Sequence, residues 1–393
     1  EGAAQGGGGG GRDITEALEE EVARLREQLV MQQELIQQTR ATILGEGDEE
    51  AAKRPEEDGE ISRGEKSYFD SYAKIGIHYE MLSDKTRTCG YGDFLMNNPS
   101  LVRGKVVLDV GCGTGILCMF AARAGAKLVI GVDMSDIIDD AREIVKANGF
   151  EDKIVLLKGK MEEVTLPVDK VDLIVSEWMG YFLLYESMLD SVVFARDKYL
   201  APGGACMPDK MTMLVAMLDD SEYLDFWKDV YGFDMTHMQR KVSGNMKLEP
   251  AIQHWEGKQL LSPPFVFKEL KCEELAVKDL EFKAPFRVEA SREGHCHGLI
   301  THFDTYFEHQ CDKPVFFTTS AEAEGKEQTH WKQTTFYLEG GGVAVKKGDA
   351  IEGEFHVTRA THNPRHMDIV VQWAVRPAGG GRGKEVFQSF QLH

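Results

Sequence analysis

Apolar and polar positions along this chain change period several times, and each change marks a different element. From Asp13 to about Leu44, the positions Leu18, Val22, Leu25, Leu29, Gln32, Ile36, Thr39 and Ile43 recur in alternating steps of four and three. That is the seam of a coiled coil, interrupted by polar Gln32 and Thr39. Thr15 and the glutamates after it suit a helix start, where the dipole favours acids. The pattern predicts an amphipathic helix over 13–44, docking on its own chain or on another. Residues 1–12 are glycine-rich and expected to be disordered, and 45–66 read as an acidic linker.

Past the linker, a helical segment is predicted from Tyr68 to about Asn97. Apolar runs then alternate with helical stretches at Lys105–Val110, Ile116–Ala124, Leu128–Val132, Ile137–Asn148, Ile154–Lys158, Val171–Ser176 and Ser187–Tyr199. This order builds βαβ units, hence an α/β domain on a parallel sheet over 67–208. After Pro202-Gly-Gly the runs become short and strand-like: Met211–Met217, Phe282–Ala290, Leu299–Phe307, Gln333–Leu338, Gly353–Arg359 and Met367–Val375. They predict an antiparallel sandwich or barrel over 209–393. One aromatic-rich stretch, Ser221–Met246, reads as helical within it.

Composition narrows the function. The chain is 42% hydrophobic and 28% charged, as in a globular protein, and has no apolar run long enough to span a membrane. Its seven cysteines are scattered without a CxxC pair, which predicts reduced thiols, no metal site, and a cytoplasmic or nuclear setting. A net charge of −20 argues against direct nucleic-acid binding and favours cationic protein partners. The chain starts at Glu1 rather than methionine, which leaves room for a longer protein.

Val106-Val-Leu-Asp109-Val-Gly111-Cys-Gly113-Thr-Gly115 has the form of strand, glycine turn, helix. Such a turn lets backbone approach a ligand closely. Asp133 closes the next strand, where an acid accepts hydrogen bonds from ribose hydroxyls. The third residue after Gly113 is Ile116, so the dinucleotide pattern GxGxxG is not met; GxGxG preceded by Asp109 is the form of S-adenosylmethionine (AdoMet) methyltransferases. Arg87 can bind the carboxylate of that cofactor bidentately. Met161 and Glu162 follow the third strand, where Glu162 can accept from an adenine amino group. Two glutamates, in Glu177-Trp-Met-Gly-Tyr-Phe-Leu-Leu-Tyr-Glu186, follow the strand Val171–Ser176. Paired carboxylates there suit the fork of a guanidinium.

These residues fall into an order that resembles protein arginine N-methyltransferases of the asymmetrically dimethylating class. The matching motifs are Tyr68-Phe69-Asp-Ser-Tyr72 with His78, Met81, Asp84 and Arg87; Val107-Leu-Asp-Val-Gly-Cys-Gly-Thr-Gly-Ile-Leu; Ser176-Glu-Trp-Met-Gly-Tyr with Tyr185-Glu-Ser-Met188; and Thr329-His330-Trp331-Lys-Gln. The likeness covers about residues 65–393. It implies a Rossmann-like class I AdoMet-dependent domain followed by a β-barrel with a helical dimerisation arm at 221–246, and a homodimer. It implies that Glu177 and Glu186 grip the substrate guanidinium, with Glu177 also binding the cofactor, that Tyr72 orients Glu186 and Arg87, and that His330 and Trp331 line the arginine channel. Met81 and Met188 would flank the target nitrogen, and Tyr68, Phe69 and His78 would fold over AdoMet. The acidic lead-in before Tyr68 is most like that of the zinc-finger-bearing cytosolic member. Tyr79 departs from the glutamate of many members, and the arm is a few residues shorter than usual.

The expected chemistry is displacement at the sulfonium methyl by an arginine nitrogen in a protein substrate, Gly/Arg-rich by preference. Carboxylates on two edges of the guanidinium would leave lone-pair density on the reacting nitrogen. His330, with Asp84, is a candidate proton relay. A non-catalytic AdoMet-binding scaffold and a small-molecule methyltransferase are the alternatives. The turn Gly379-Gly-Gly-Arg382-Gly-Lys384 reads as a hairpin, with Arg382 a candidate for self-methylation.

Overall fold

The computed structural model describes residues 63–245, 249–322, 327–381 and 383–393. The glycine-rich start, the amphipathic pattern over 13–44, nearly all of the acidic linker, Met246 and Arg382 lie outside the described residues.

Three helices open the described chain: α1 (Arg63–Tyr72), α2 (Ile75–Ser83) and α3 (Lys85–Asn97), followed by the short α4 (Pro99–Val102). The single helix expected from Tyr68 to Asn97 is therefore broken twice. The second break has a local cause. Asp84 is extended at φ −68°, ψ 98°, and its Oδ1 accepts from Arg87 N at 2.9 Å, which caps α3.

A five-stranded sheet follows, built from β1 (Val106–Val110), β2 (Leu128–Asp133), β3 (Ile154–Lys158), β4 (Val171–Val175) and β5 (Leu200–Met207). The spatial order is β3-β2-β1-β4-β5, all parallel. Helices α5 (Ile116–Arg123), α6 (Ile137–Ala147) and α7 (Leu189–Tyr199) connect strands. Val107, Leu108, Ile130, Leu173 and Ile174 are fully buried, as strands covered on both faces require. The sequence reading missed β5, because Pro202-Gly-Gly lies within it and looks like a boundary. Strand order reverses between β1 and β4. Ligands of open α/β sheets bind at the carboxyl ends of such a pair, and here those ends lead into Gly111 and Glu177.

The remaining strands are antiparallel. One sheet has β6 (Lys210–Leu218), β7 (Ala251–Gln253), β8 (Phe265–Lys271), β11 (Gly298–Phe307), β12 (Val315–Thr318) and β13 (Gln333–Tyr337). The other has β9 (Phe282–Glu289), β15 (Ala350–Arg359), β16 (Met367–Arg376) and β17 (Val386–Leu392), while β10 (Gly294–Cys296) and β14 (Val343–Val345) pair separately. Phe182 from the α/β domain inserts among Phe267, Phe336 and Phe355 of the two sheets, so the domains share one core. The short strands β7, β10, β12 and β14 carry too few residues to show a period, and β8 was missed as well.

The arm expected to be helical holds two helices, α8 (Ser221–Phe226) and α9 (Thr236–Asn245), joined by a turn with Val230 bridging Phe233. Gly232, with φ +87°, makes that turn. Tyr231 is 95% exposed and Phe233 68%, and among the described residues of the segment only Leu224 is buried.

Candidate active site

A cleft of about 450 Å³ opens at the switch point between β1 and β4. Tyr68, Phe69, Tyr72, His78, Met81, Arg87, Gly111, Gly113, Asp133, Met161, Glu162, Glu177, Glu186, Met188 and His330 all line it. These residues come from six separated stretches of chain, which the fold brings around one cleft.

The glycine turn makes the floor. Gly111 has φ +73°, a left-handed backbone that favours glycine, and a Cβ there would push the end of Met188 aside. Gly113 has φ +50°, with the His78 ring nearest to where a Cβ would be, at 3.6 Å. Asp133 braces the turn: its Oδ2 accepts from Gly113 N at 2.8 Å, and its Oδ1 from Ser135 N at 2.8 Å and Ser135 Oγ at 2.6 Å. Oδ1 has both lone pairs taken, while Oδ2 keeps one for a ribose hydroxyl. Glu162 is exposed at the rim and accepts from Ser191 Oγ at 2.7 Å.

Asp109 departs from its expected place. It does not line the cleft; it is wholly buried beneath the turn, where Oδ2 accepts from Cys118 Sγ at 3.1 Å and Oδ1 has no partner. Burial pushes its pKa up to about 7. Its place is structural support, behind the ligand surface.

The two glutamates sit differently. Glu177 Oε2 accepts from Arg87 Nε at 2.7 Å and Nη2 at 2.5 Å, a pair whose side chains are 7% and 8% exposed. Glu186 accepts from Tyr72 Oη at 2.7 Å, and its backbone is left-handed at φ +78°. Tyr72 thus orients Glu186 as expected, while Arg87 is oriented by Glu177 instead. The other Arg87 contacts are long: Met81 O at 3.3 Å, Thr88 Oγ1 at 3.5 Å and Met81 Sδ at 3.9 Å. Those are the ones a cofactor carboxylate would replace.

On the opposite wall, His330 Nδ1 lies 2.8 Å from Asp84 Oδ2, which also accepts His330 N at 2.9 Å. The carboxyl of Asp84 stays below its usual range: burial opposes that, and the bonds from His330 and Arg87 N outweigh it. Trp331 is buried behind His330, with Nε1 donating to Met179 O at 2.8 Å, so it backs the wall rather than forming it. Sequence reasoning missed Pro364 and Arg365, which line the same cleft from the turn between β15 and β16. No local pattern marks them, because their role depends on a contact across the chain.

Burial pushes the Glu186 carboxyl up to about 7; the Tyr72 bond pulls it down and the negative charge of Glu177 pushes it further up. An ionised Glu186 is what a guanidinium requires, so kcat/KM for an arginine peptide should rise with pH through about 7. Tyr72→Phe removes the bond that favours the ionised form and should move that limb to higher pH. A limb that stays in place in Tyr72→Phe would assign the titration to another group.

The glycine cradle, the Asp133 carboxylate and the mixed charges of Arg87, Glu162 and Glu177 fit AdoMet, which carries a sulfonium, a carboxylate and a ribose. Similar proteins agree. A family model described as "Arginine methyltransferase oligomerization subdomain" matches residues 209–378, and one described as "Methyltransferase domain" matches 107–204. "Protein arginine N-methyltransferase 1" of Schizosaccharomyces pombe is 46% identical over 79% of this chain and 90% of its own length. "Probable protein arginine N-methyltransferase 1.2" of Arabidopsis thaliana is 45% identical over 78% of this chain and 83% of its own. Among solved structures, the Trypanosoma brucei PRMT1 enzyme–prozyme heterotetrameric complex with AdoHcy aligns with TM-score 0.73 and 39% identity, over 82% of this chain and all of that one.

Proposed function

The chain belongs to the protein arginine N-methyltransferases, and from that premise we propose that it forms ω-monomethyl and asymmetric dimethylarginine in Gly/Arg-rich proteins. It is an AdoMet-dependent enzyme acting on arginine in proteins. The observation that carries the mechanistic reading is the convergence of Glu177 and Glu186 on one cleft wall beside the glycine turn. When bound, AdoMet supplies an electrophilic methyl on its sulfonium.

The rest is the work of this chain. Glu177 and Glu186 hold the guanidinium from two edges, drawing its charge toward the nitrogens they bind. Fixing the nitrogen relative to the cofactor removes orientational freedom, a term that reaches about 7–11 kcal/mol in well-aligned reactions. Arg87 holds Glu177 in place, and the Tyr72 bond holds Glu186 and favours its ionised form. The bond between His330 and Asp84 supports a role for His330 in taking the proton released by the methylated nitrogen. Met81 packs against Arg87 and Met188 over Gly111, so the two methionines narrow the cleft from different sides. Such crowding supports a second methyl entering only at the nitrogen already methylated.

Exposed Tyr231 and Phe233 on the arm support a homodimer, because aromatics this open suit an interface. The net charge of −20 supports basic, arginine-containing substrates. The acidic lead-in before Tyr68 supports a place nearest the zinc-finger-bearing cytosolic member, with a cytoplasmic and nuclear location. Tandem mass spectrometry of a Gly/Arg-rich peptide incubated with AdoMet should find ω-monomethyl and asymmetric dimethylarginine. A dominant symmetric product would refute the methionine argument, and an unmodified peptide would leave the scaffold reading as the better one.

A further inference from the structure

Arg365 belongs to none of the motifs legible in the sequence, yet it touches both halves of the cleft wall. Its guanidinium carbon lies 3.8 Å from the ring centre of Tyr68 and 5.1 Å from that of Phe69, both on α1. Its Nη1 donates to Glu186 O at 2.7 Å, while Glu186 N donates to Arg365 O at 2.9 Å. Beside this two-way pairing, Ser187 Oγ donates to Pro364 O at 2.6 Å. A turn of the β domain is thereby tied to the clamp loop and, through one cation, to the helix over the cofactor cleft.

Each side of that link needs support. Helix α1 spans ten residues, too short to be stable by itself, so its seating depends on tertiary contacts. Glu186 and Ser187 have φ +78° and +54°, conformations that persist in L-residues only where neighbours hold them. Arg365 offers a planar face to the aromatics and a directional donor to the carbonyl, two functions a lysine does not combine.

We propose that Arg365 is a positioning residue that seats α1 over the cofactor cleft and fixes the backbone of Glu186, so that cofactor enclosure and clamp assembly are coupled. The clamp half rests on the reading of Glu186 as a guanidinium-binding carboxylate; the cofactor half does not. The charged and titratable groups facing Glu186 are Tyr72 and Tyr68 from α1, Tyr181 and Tyr185 of its own loop, Glu177 with its partner Arg87, and Arg365 from the β domain. Arg365 favours the ionised form of Glu186, so losing it should raise the acid limb of the pH profile.

The test uses the full chain and three readouts: AdoMet affinity by titration calorimetry, the pH profile of kcat/KM, and thermal unfolding. Arg365→Gln should weaken AdoMet binding roughly 10-fold, the scale of one desolvated cation–π contact. It should also move the acid limb to higher pH. Arg365→Lys should restore the limb but not the affinity. Tyr68→Leu should lose AdoMet affinity like Arg365→Gln, and combining the two should cost little more than either alone. Additive losses in the double variant, or unchanged affinity in Arg365→Gln, would overturn the seating of α1. Coupled affinity losses with an unmoved limb would overturn the clamp half, and with it the assignment of Glu186. Should Arg365→Gln fail to fold, Arg365→Lys and Tyr68→Leu carry the same comparisons.

Discussion

Glu186→Gln should reduce turnover by about 10³-fold while AdoMet affinity changes by less than about 3-fold, under ~0.7 kcal/mol. Glutamine has the same shape and can still accept from Tyr72 Oη, so the clamp loop keeps its hydrogen bond and its left-handed backbone. What it loses is the negative charge that draws the guanidinium's positive charge away from the reacting nitrogen. The glycine turn and Asp133, which form the cofactor floor, are untouched by the change. Stability should stay level or rise, because burial pushes the pKa of the wild-type carboxyl up to about 7, so that it resists ionisation. Single-turnover kinetics with calorimetric AdoMet binding separates the effects. Turnover within about tenfold of wild type would end the paired-carboxylate mechanism, since tenfold corresponds to only ~1.4 kcal/mol.

Arg87→Met should be the most destabilising single change in the cleft. Arg87 and Glu177 are both nearly buried and both nitrogens of the fork meet one carboxylate oxygen. Removing the cation leaves Glu177 with an uncompensated charge in a low-dielectric wall, which costs about 3–5 kcal/mol. Arg87→Met combined with Glu177→Gln should recover most of that stability, because neutralising both partners removes the stranded charge. Activity should not return in the double variant, as both the guanidinium clamp and the candidate carboxylate ligand are gone. Urea unfolding of the three chains provides the comparison. An Arg87→Met loss below about 1 kcal/mol would mean that water or a neighbouring cation already compensates Glu177.

The same pair explains a change in how the cleft reads. By sequence, Arg87 belongs to the cofactor and Glu177 to both the substrate and the cofactor, with no bond expected between the two. In the folded chain they are bonded to one another, so cofactor and substrate subsites share a border there. Tyr72, expected to serve both Glu186 and Arg87, is committed to Glu186. Asp109 keeps its place in the motif but lies under the turn, because the inward face of β1 is core.

The sequence by itself determined the elements with a long, strong period and the motifs carried by contiguous residues. The βαβ alternation, the glycine turn with Asp133, and the double-glutamate loop are all local, since strand period, positive φ at glycine and chain proximity act over a few residues. Helix breaks, short strands and the split arm were decided by tertiary structure. Asp84 ends one helix and caps the next because its other oxygen also anchors His330, far along the chain. Strand β5 accepts Pro202-Gly-Gly because it lies at the sheet edge, where a missing donor costs little. Arg365 could be found only in three dimensions: its partners Tyr68, Phe69 and Glu186 are distant in sequence, and a stacked cation leaves no periodic signature in the chain that carries it.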